Sequence, residues 1–426
     1  MTLNNLPPVL GLDFGTTNTV AAIPGPGGQP LALPIPHGEA PDGVFRTVLA
    51  FWHEEATPRQ LEVEAGPFAV DVFLDRREEC RFLQSIKTFA ASPLFQDTRI
   101  EGRTFRFEDL MHAFLRRYRH HTGDHLPVWP ERLVVGRPVA FAGIDADDTL
   151  AETRYRAALE PFGIPDIRFV YEPVAAAYHF ARRLTGPATV LVGDFGGGTS
   201  DFSVIRFEPG AGGGQPSADA LGHAGVGVAG DAFDQRIVQE AIAPLLGKGG
   251  RYRSFGKWLD MPVQYYADLA RWNHLALMRS QRTLRELDEL ARASEDPAPV
   301  RRLIGFLARE QGYLLYRAVA NAKRALSDAQ DTVLAVRLGD DEIALPLSRR
   351  DFEAWIAPDL QRIADAVDLC LARAGLAPEQ VDRVFLTGGS SYVPAVRRLF
   401  EQRFPPGRVE TGDQLVSIAL GLVGVG

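Results

Sequence analysis

Two short segments of the chain combine an aspartate with glycines and threonines. Residues 9–17 read Val-Leu-Gly-Leu-Asp-Phe-Gly-Thr-Thr, and residues 190–199 read Val-Leu-Val-Gly-Asp-Phe-Gly-Gly-Gly-Thr. Glycine turns let backbone N–H groups approach a phosphate closely, and small hydroxyl side chains add further donors. Magnesium prefers hard oxygen ligands and usually keeps several waters, so one or two carboxylates suffice to hold it. Each segment therefore offers a phosphate-binding turn beside a carboxylate, Asp13 in one and Asp194 in the other.

The two segments also share a predicted local structure. Each begins with an apolar run and continues into a second alternating run, at residues 20–23 and 202–207. This pattern predicts a strand–turn–strand unit that occurs twice, one domain length apart. A single glycine-rich hairpin would be weak evidence, but two that follow buried strands are specific. We therefore predict two related lobes, residues 1–186 and 187–426, that face one magnesium nucleotide.

Strands and helices alternate between the two units. The pattern predicts a strand over residues 132–139, a helix over 149–162, a short strand over 167–171 and a helix from Pro173. Such alternation is typical of an α/β sheet in each lobe. Two stretches depart from it, so we expect an inserted subdomain at about 44–125 in the first lobe and a mostly helical one at about 231–330 in the second.

Composition excludes several classes of protein. The chain has 426 residues, of which 46% are hydrophobic and 23% charged, so it is neither mainly disordered nor fibrous. Its formal charge of −8 argues against nucleic acid or an anionic membrane as a partner. The N-terminus has no basic stretch before an apolar run, and no apolar run is long enough to span a bilayer. These observations predict a cytoplasmic protein.

A third glycine motif strengthens the nucleotide hypothesis. Residues 384–391 read Val-Phe-Leu-Thr-Gly-Gly-Ser-Ser and precede a predicted helix from Pro394. Glycines after a strand allow the backbone to approach a flat base or a ribose. On its own the motif would be an ordinary strand-to-helix turn.

In combination, these motifs resemble the ATPase domain of the seventy-kilodalton heat-shock chaperones (the DnaK-type Hsp70 family). The matching segments are residues 12–18, 171–177, 194–201 and 388–391. The resemblance covers essentially the whole chain, more loosely at 44–125 and 240–315, and is strongest to the short YegD-like members. It implies the two-lobed actin-like (ribonuclease H-like) ATPase fold, in which each lobe has a mixed sheet flanked by helices and an inserted subdomain.

The resemblance also implies roles for the residues of the two turns. Asp13 and Asp194 would hold Mg²⁺, mostly through water. The phosphates of ATP or ADP would contact Gly15, Thr16, Thr17, Asn18, Gly196, Gly197, Gly198 and Thr199.

Four residues match catalytic positions of the family. Lys87 stands where the family has a lysine on the γ-phosphate, while Glu172 and Asp201 would orient or deprotonate the attacking water, beside Thr199. The chain has only four lysines among its 46 basic residues, which favours a specific role for Lys87 over that of a solvated helix lysine. These roles agree with phosphoryl transfer, in which positioning and charge stabilisation do most of the catalysis.

The resemblance further implies an adenosine site on both sides of the third motif. Its predicted residues are Lys323, Arg324, Ser327, Gly388, Gly389, Ser390, Tyr392 and Asp413. Two positions depart from the family: Ala320 replaces a glutamate that helps to close the cleft, and Tyr392 replaces an arginine. Tyr392 could stack on adenine instead.

Residues 225–230 fit the pattern G-x-G-x-x-G of dinucleotide-binding proteins. That function requires a preceding strand and a βαβ unit, and residues 219–223 are a poor candidate for such a strand. We therefore reject it and assign Gly230 to the family loop that passes near the γ-phosphate.

The predicted function is a slow Mg-ATPase that acts as a nucleotide-gated, chaperone-like switch. Helices of small residues at 173–184 and 417–423 could cross closely and form its hinge. Because the chain ends just after the last ATPase helix, we expect no peptide-binding domain and a monomer. An unknown protein partner or client would bind through residues 240–315, where Trp258 and nearby aromatic residues lie. The alternatives are a sugar-type kinase of the same fold and an actin-like filament-forming ATPase.

Overall fold

A computed structural model describes residues 8–38, 43–54, 57, 60–76, 79–142, 145–184, 186–208, 217–411 and 415–426. Its strands are β1 (Val9–Phe14), β2 (Asn18–Pro24), β3 (Pro30–Ala32), β4 (Phe45–Arg46), β5 (Val48–His53), β6 (Leu61–Ala65), β7 (Cys80–Gln84), β8 (Thr98–Ile100), β9 (Arg103–Phe105), β10 (Arg132–Arg137), β11 (Asp166–Tyr171), β12 (Ala188–Phe195), β13 (Ser200–Glu208), β14 (Ser217–Val226), β15 (Arg251–Ser254), β16 (Lys257–Asp260), β17 (Asp331–Leu338), β18 (Asp341–Ser348), β19 (Arg383–Thr387) and β20 (Val409–Thr411).

The α-helices are α1 (Gly66–Asp75), α2 (Phe107–Thr122), α3 (Asp148–Leu159), α4 (Glu172–Ala181), α5 (Gly230–Ile237), α6 (Val263–Leu269), α7 (Leu275–Met278), α8 (Gln281–Ala293), α9 (Pro297–Ala308), α10 (Gly312–Asp328), α11 (Arg349–Ala374), α12 (Pro394–Arg403) and α13 (Ser417–Val425). The strands and helices predicted between residues 132 and 184 are confirmed as β10, α3, β11 and α4.

Two of the sheets have the same topology. The strand order is β3-β2-β1-β10-β11 in one and β14-β13-β12-β19-β20 in the other, with β4 as an additional partner of β2. In each sheet the central strand, β1 or β12, runs antiparallel to the strand that follows it and parallel to its other neighbour. The internal repeat in the sequence is thus a repeat of structure, and the predicted α/β fold with mixed sheets and flanking helices is confirmed.

Both central strands are buried because apolar side chains lie on each of their faces. Every residue of β1 is buried, and all but the first residue of β12. In the first sheet, Phe14 at the end of β1 makes edge-on ring contacts with Phe114 of α2 and Tyr155 of α3. This aromatic core fixes the end of β1, where the adjacent glycine turn begins.

The small residues of α4 and α13 allow these two helices to cross in contact. A Cβ atom added at Gly421 of α13 would lie only 1.7 Å from the backbone oxygen of Ala175 in α4. On its other side α13 approaches β1, because a Cβ atom at Gly11 would lie 2.6 Å from the oxygen of Ala419. The predicted close crossing of the two helices is confirmed.

The chain divides into two compact units. The first comprises residues 1–230, 362–391 and 396–426, and it contains both repeated sheets. The second comprises residues 231–361 and 392–395, with the hairpins β15–β16 and β17–β18 among its helices. The predicted lobes each contain one copy of the repeated sheet, whereas the first compact unit contains both copies. The lobe boundary at residue 186 therefore stays a prediction. None of the helices in the described ranges is both long and apolar enough to cross a bilayer.

Candidate functional site

The two glycine turns have the same local geometry. The N–H of Gly15 donates to the backbone oxygen of Asn18 at 3.0 Å, and the N–H of Gly196 donates to that of Thr199 at 3.0 Å. The turns also lie next to each other, since a Cβ atom at Gly198 would be 3.5 Å from the Thr16 hydroxyl oxygen. The structure therefore brings together the two sets of predicted phosphate-binding residues, which are in part accessible to solvent.

Lys87 is buried beside these turns rather than solvated. It lies in a short 3₁₀ helix, Ile86–Phe89, that follows β7, and its side chain is 7% exposed. Its ammonium group donates to Oε1 of Glu172 at 2.6 Å, and the Glu172 side chain is 6% exposed. Ser85 just before the 3₁₀ helix has φ of +50°, an uncommon conformation for this residue type and one that often accompanies functional sites. The alternative of a solvated lysine is therefore wrong.

Asp201 on β13 lies directly opposite Asp194 on β12 in the antiparallel register. Its Oδ1 accepts hydrogen bonds from the backbone N–H groups of Val139, at 2.8 Å, and Ala140, at 3.1 Å. Its Oδ2 is also buried and makes no hydrogen bond with the described residues. A hydrogen bond from the Thr199 side chain also acts to lower the pKa of this carboxyl, whereas Oδ2 can still accept a hydrogen bond from a further donor.

Four buried carboxylates, those of Asp13, Glu172, Asp194 and Asp201, accompany the single buried ammonium of Lys87. Burial, and then the charge of Glu172, raises the pKa of Asp13 to about 7 and that of Asp201 to about 7. Burial and the neighbouring carboxylates raise the pKa of Asp194 as well. Burial acts to lower the pKa of Lys87, but the nearby negative charges outweigh it and raise that pKa. The cluster thus contains more acidic than basic groups, and the raised pKa values favour the protonated forms of its aspartates as long as no cation is bound.

This donor set fits a hydrated divalent cation. Added positive charge would favour the ionised forms of Asp13 and Asp194, and Oδ2 of Asp201 could accept a hydrogen bond from a bound water. Where side chains are described, no three histidine, cysteine, aspartate or glutamate residues converge as a metal cage. A magnesium ion here would therefore take most of its ligands from water and from phosphate oxygens.

Two further residues support the cluster, and the sequence analysis did not single them out. Arg137 at the end of β10 pairs with Glu152 and, at 2.7 Å, with Asp148, so it anchors the segment whose N–H groups hold Asp201. The hydroxyl of Tyr155 is buried without a hydrogen-bond partner among the described residues, and its charge when ionised would be felt at Lys87. The only sequence signal for either was its position in a predicted strand or helix.

The third glycine motif lies beside the second turn. Thr387 at the end of β19 is the parallel partner of Asp194. The next residue, Gly388, has φ of +83°, and a Cβ atom there would lie 2.1 Å from the backbone oxygen of Phe195. Glycine is therefore required at this position, whereas the space around Gly389 is open. Ser390 is buried.

Four predicted adenosine residues belong to the second compact unit. Lys323 on α10 forms an ion pair with Asp234, with 2.8 Å between Nζ and Oδ1, and the Ser327 hydroxyl donates to the Lys323 backbone oxygen at 3.4 Å. Arg324 is exposed, and Tyr392 is 58% exposed. Asp413 lies outside the described residues. The adenosine contacts stay a prediction.

The segment at residues 219–223 corrects one expectation. It lies within strand β14, and α5 begins at Gly230, so a strand does precede the G-x-G-x-x-G motif. However, β14 is an edge strand antiparallel to β13, so the βαβ unit of a dinucleotide site is absent from these described elements. The N–H of Gly230 donates to the backbone oxygen of Gly196 at 3.4 Å, which places Gly230 at the second turn.

Comparisons with known proteins agree with the motifs. The family model described as "Hsp70 protein" matches residues 310–421. The chaperone protein DnaK from each of two strains of Thermus thermophilus is 26% identical to the chain over 428 residues. The alignment covers 97% of the chain but 60% of either relative, so the chain spans less than two thirds of their length. The resemblance to the DnaK-type Hsp70 chaperones, inferred from the glycine turns, residues 171–177 and the Gly-Gly-Ser-Ser turn, is confirmed as similarity to these proteins, whereas the short YegD-like subtype stays a prediction.

Proposed function

We propose that the chain binds Mg-ATP at the carboxylate cluster and hydrolyses it slowly. The observation that carries the proposal is the burial of Asp13, Asp194, Asp201 and the Lys87–Glu172 pair beside two adjoining glycine turns. A structural core has little use for so many buried carboxylates, because unpaired buried charge costs stability. A ligand that brings a cation and several hydrogen-bond acceptors and donors would offset that cost.

The residues of the cluster suit distinct parts of phosphoryl transfer. The backbone N–H groups and hydroxyls of the turns would bind phosphate oxygens, and Mg²⁺ when bound supplies positive charge beside them. Glu172 holds the Lys87 ammonium in one position, from which its charge can stabilise the oxygens of the transferred group. Oδ2 of Asp201, left without a donor, can accept a hydrogen bond from the attacking water.

We further propose that nucleotide state controls binding to a protein partner, as in a chaperone-type switch. The support is the relationship to DnaK, together with the close crossing of α4 and α13. Glu172, the partner of Lys87, is the first residue of α4, so a change at the phosphates can reach this helix crossing through one ion pair. Small residues at the crossing permit the short sliding movements by which packed helices rearrange.

The proposal is tested with wild type, Lys87→Met and the control Lys248→Met. Lys248 is a partly exposed lysine whose ammonium donates to the backbone oxygen of Gln239. Calorimetry measures ATP and ADP affinity with and without Mg²⁺, and phosphate release measures hydrolysis. We expect Mg-dependent binding in all three proteins and a loss of hydrolysis of about 100-fold in Lys87→Met alone.

Two results would contradict the proposal at different levels. If ATP does not bind in the presence of Mg²⁺, nucleotide binding itself is wrong. If ATP binds but Lys87→Met hydrolyses it as fast as wild type, only the catalytic role of Lys87 is wrong. Because Lys87→Met leaves Glu172 buried without its cation, thermal unfolding of each variant is measured first, and Lys87→Met/Glu172→Gln restores neutrality if the single variant unfolds. Phosphate found on a sugar instead of in solution would indicate a kinase.

A further inference from the structure

The hairpin formed by β15 and β16 exposes more apolar surface than its neighbourhood requires. Its two-residue tip is Phe255-Gly256, with φ of +48° and +78°, and the Phe255 side chain is fully exposed. A phenylalanine rarely adopts positive φ, and asparagine or glycine would suit this turn better. Trp258 and Leu259 on β16 are 47% and 43% exposed, and Val263 just beyond it is 75% exposed.

The two edges of this hairpin differ. The outer edge of β15 is occupied, because the N–H of Glu295 donates to the backbone oxygen of Arg251 at 2.9 Å. In a hairpin with a two-residue turn, the N–H and C=O groups of Lys257 and Leu259 point toward β15. Those of Trp258 and Asp260 therefore point away from β15, to the outer edge of β16. Within the described ranges no backbone group is bonded to these two residues from outside the hairpin. The edge of β16 is therefore open to a further strand.

The charges along the hairpin are mostly positive. Arg251 forms an ion pair with Glu295 and lies over the ring of Trp258, 5.9 Å from its centre. Arg253 and Lys257, in contrast, form no ion pair with any residue that the structure describes, and both are exposed. The cross-strand register places Arg253 beside Trp258, while Lys257 shares a face with Leu259. Each face of the hairpin thus carries an uncompensated cation near an exposed apolar side chain.

We propose that the open edge of β16 binds an extended acidic segment of a partner protein as a third strand. Backbone hydrogen bonds to Trp258 and Asp260 would hold the segment, its apolar side chains would cover Trp258 and Leu259, and its carboxylates would pair with Lys257 and Arg253. Protein is favoured over a nucleic acid or an anionic membrane because the open edge of β16 offers backbone N–H and C=O groups, which pair with another strand. The hairpin contains none of the predicted nucleotide residues, so this site stands or fails separately from the ATPase proposal.

The test measures the fluorescence anisotropy of a short labelled peptide that repeats Glu-Glu-Val-Val, which places both a carboxylate and an apolar side chain on each face of a strand, with the full chain. The matched pair Asp260→Pro and Asp260→Ala separates the backbone N–H from the side chain, since only proline removes the outward donor. We expect binding to weaken about fivefold or more in Asp260→Pro but not in Asp260→Ala. Trp258→Ala should weaken it about tenfold, and Lys257→Glu should weaken it while Arg301→Glu, an exposed arginine of α9, should not.

Several results would each overturn the proposal. These are no binding of the acidic peptide to wild type, equal binding of a lysine–valine peptide, or binding that is unchanged in Trp258→Ala and Lys257→Glu. Retention of single-stranded RNA or of phosphatidylserine vesicles through the same hairpin residues, in place of the peptide, would likewise overturn it. If Asp260→Pro unfolds the hairpin, the Trp258 and Lys257 variants still decide the outcome.

Discussion

Replacing Asp13 by asparagine should stabilise the ligand-free protein at pH 8. Burial and the charge of Glu172 raise the pKa of Asp13 from 3.8 to about 7, although Lys87 opposes the increase. A carboxyl group whose pKa is higher in the folded than in the unfolded protein stabilises the folded state fully below pH 3.8. This stabilisation is lost as the pH rises through about 7, because the folded protein resists ionisation of the group. Asparagine has no charge to bury, so the Asp13→Asn variant should not lose stability in this way.

The size of the effect follows from the same values. The increase in the pKa of Asp13 from 3.8 to about 7 lowers the free energy of unfolding at pH 8 by at most about 4 kcal/mol, since each pKa unit corresponds to about 1.4 kcal/mol. Asp13 also raises the pKa of Asp194, so its removal reduces a second penalty, but it also removes an attraction for Lys87. We therefore expect Asp13→Asn to gain between about 1 and 4 kcal/mol at pH 8.

The assay is urea unfolding in EDTA at pH 5.5 and pH 8, with Asp97→Asn, at an exposed position, as the control. The difference between Asp13→Asn and wild type should grow from the lower to the higher pH, while Asp97→Asn follows wild type throughout. A variant that is less stable than wild type at pH 8, or a difference independent of pH, would refute the electrostatic reasoning. Adding Mg-ATP should stabilise wild type more than Asp13→Asn if the proposed function is right.

Three further predictions concern other parts of the first compact unit. In thermal unfolding, Gly421→Ala should destabilise the protein by about 1–3 kcal/mol, because the added Cβ atom would lie 1.7 Å from the backbone oxygen of Ala175. Gly424→Ala in the same helix has open space around it and should stabilise the protein by about 0.5–1 kcal/mol. Burial opposes the ionisation of Glu64, but hydrogen bonds from His121, Arg117 and the Ala65 N–H lower its pKa to about 2. In urea titrations, Glu64→Gln should therefore reduce the free energy of unfolding by up to about 3 kcal/mol at pH 7 and by less than half of that at pH 3. Tyr155→Phe removes a buried hydroxyl that has no hydrogen-bond partner among the described residues, so calorimetric unfolding should show a stability that is unchanged or raised by about 1 kcal/mol. A loss of stability of more than about 1 kcal/mol would mean that the hydroxyl is hydrogen-bonded in solution.

The parts of the site that depend on short stretches of chain were predictable from sequence. The Asp-Gly-Thr turns and their flanking strands are local, because an apolar run, an aspartate and glycines determine both the strand end and the turn. Their adjacency followed only as an expectation from the repeat. The β14 strand was missed because its small and polar residues have weak strand propensity, and pairing with β13 overrides that preference.

The contacts that tune the cluster join residues far apart in sequence, so the sequence could not predict them. Lys87 and Glu172 are 85 positions apart, and the N–H groups of Val139 and Ala140 reach an oxygen of Asp201 about 60 residues later. The resemblance named Lys87, Glu172 and Asp201 individually, but neither their pairing nor the anchoring of residues 138–140 by Arg137 has a sequence signal. These contacts arise from packing of β7, β10, α4 and β13.

The two sheets are alike in strand order, but they differ in the residue that faces the aspartate of the central strand. Across the hairpin of the first sheet Asp13 faces Val20, whereas in the second sheet Asp194 faces Asp201. If the two halves were equivalent, either could receive the same end of a ligand. With a second acid in only one half, the halves are no longer interchangeable, and under the proposed function a bound chain of phosphates would have a defined polarity. The second acid of the β12–β13 hairpin thus distinguishes the two halves of a repeated arrangement.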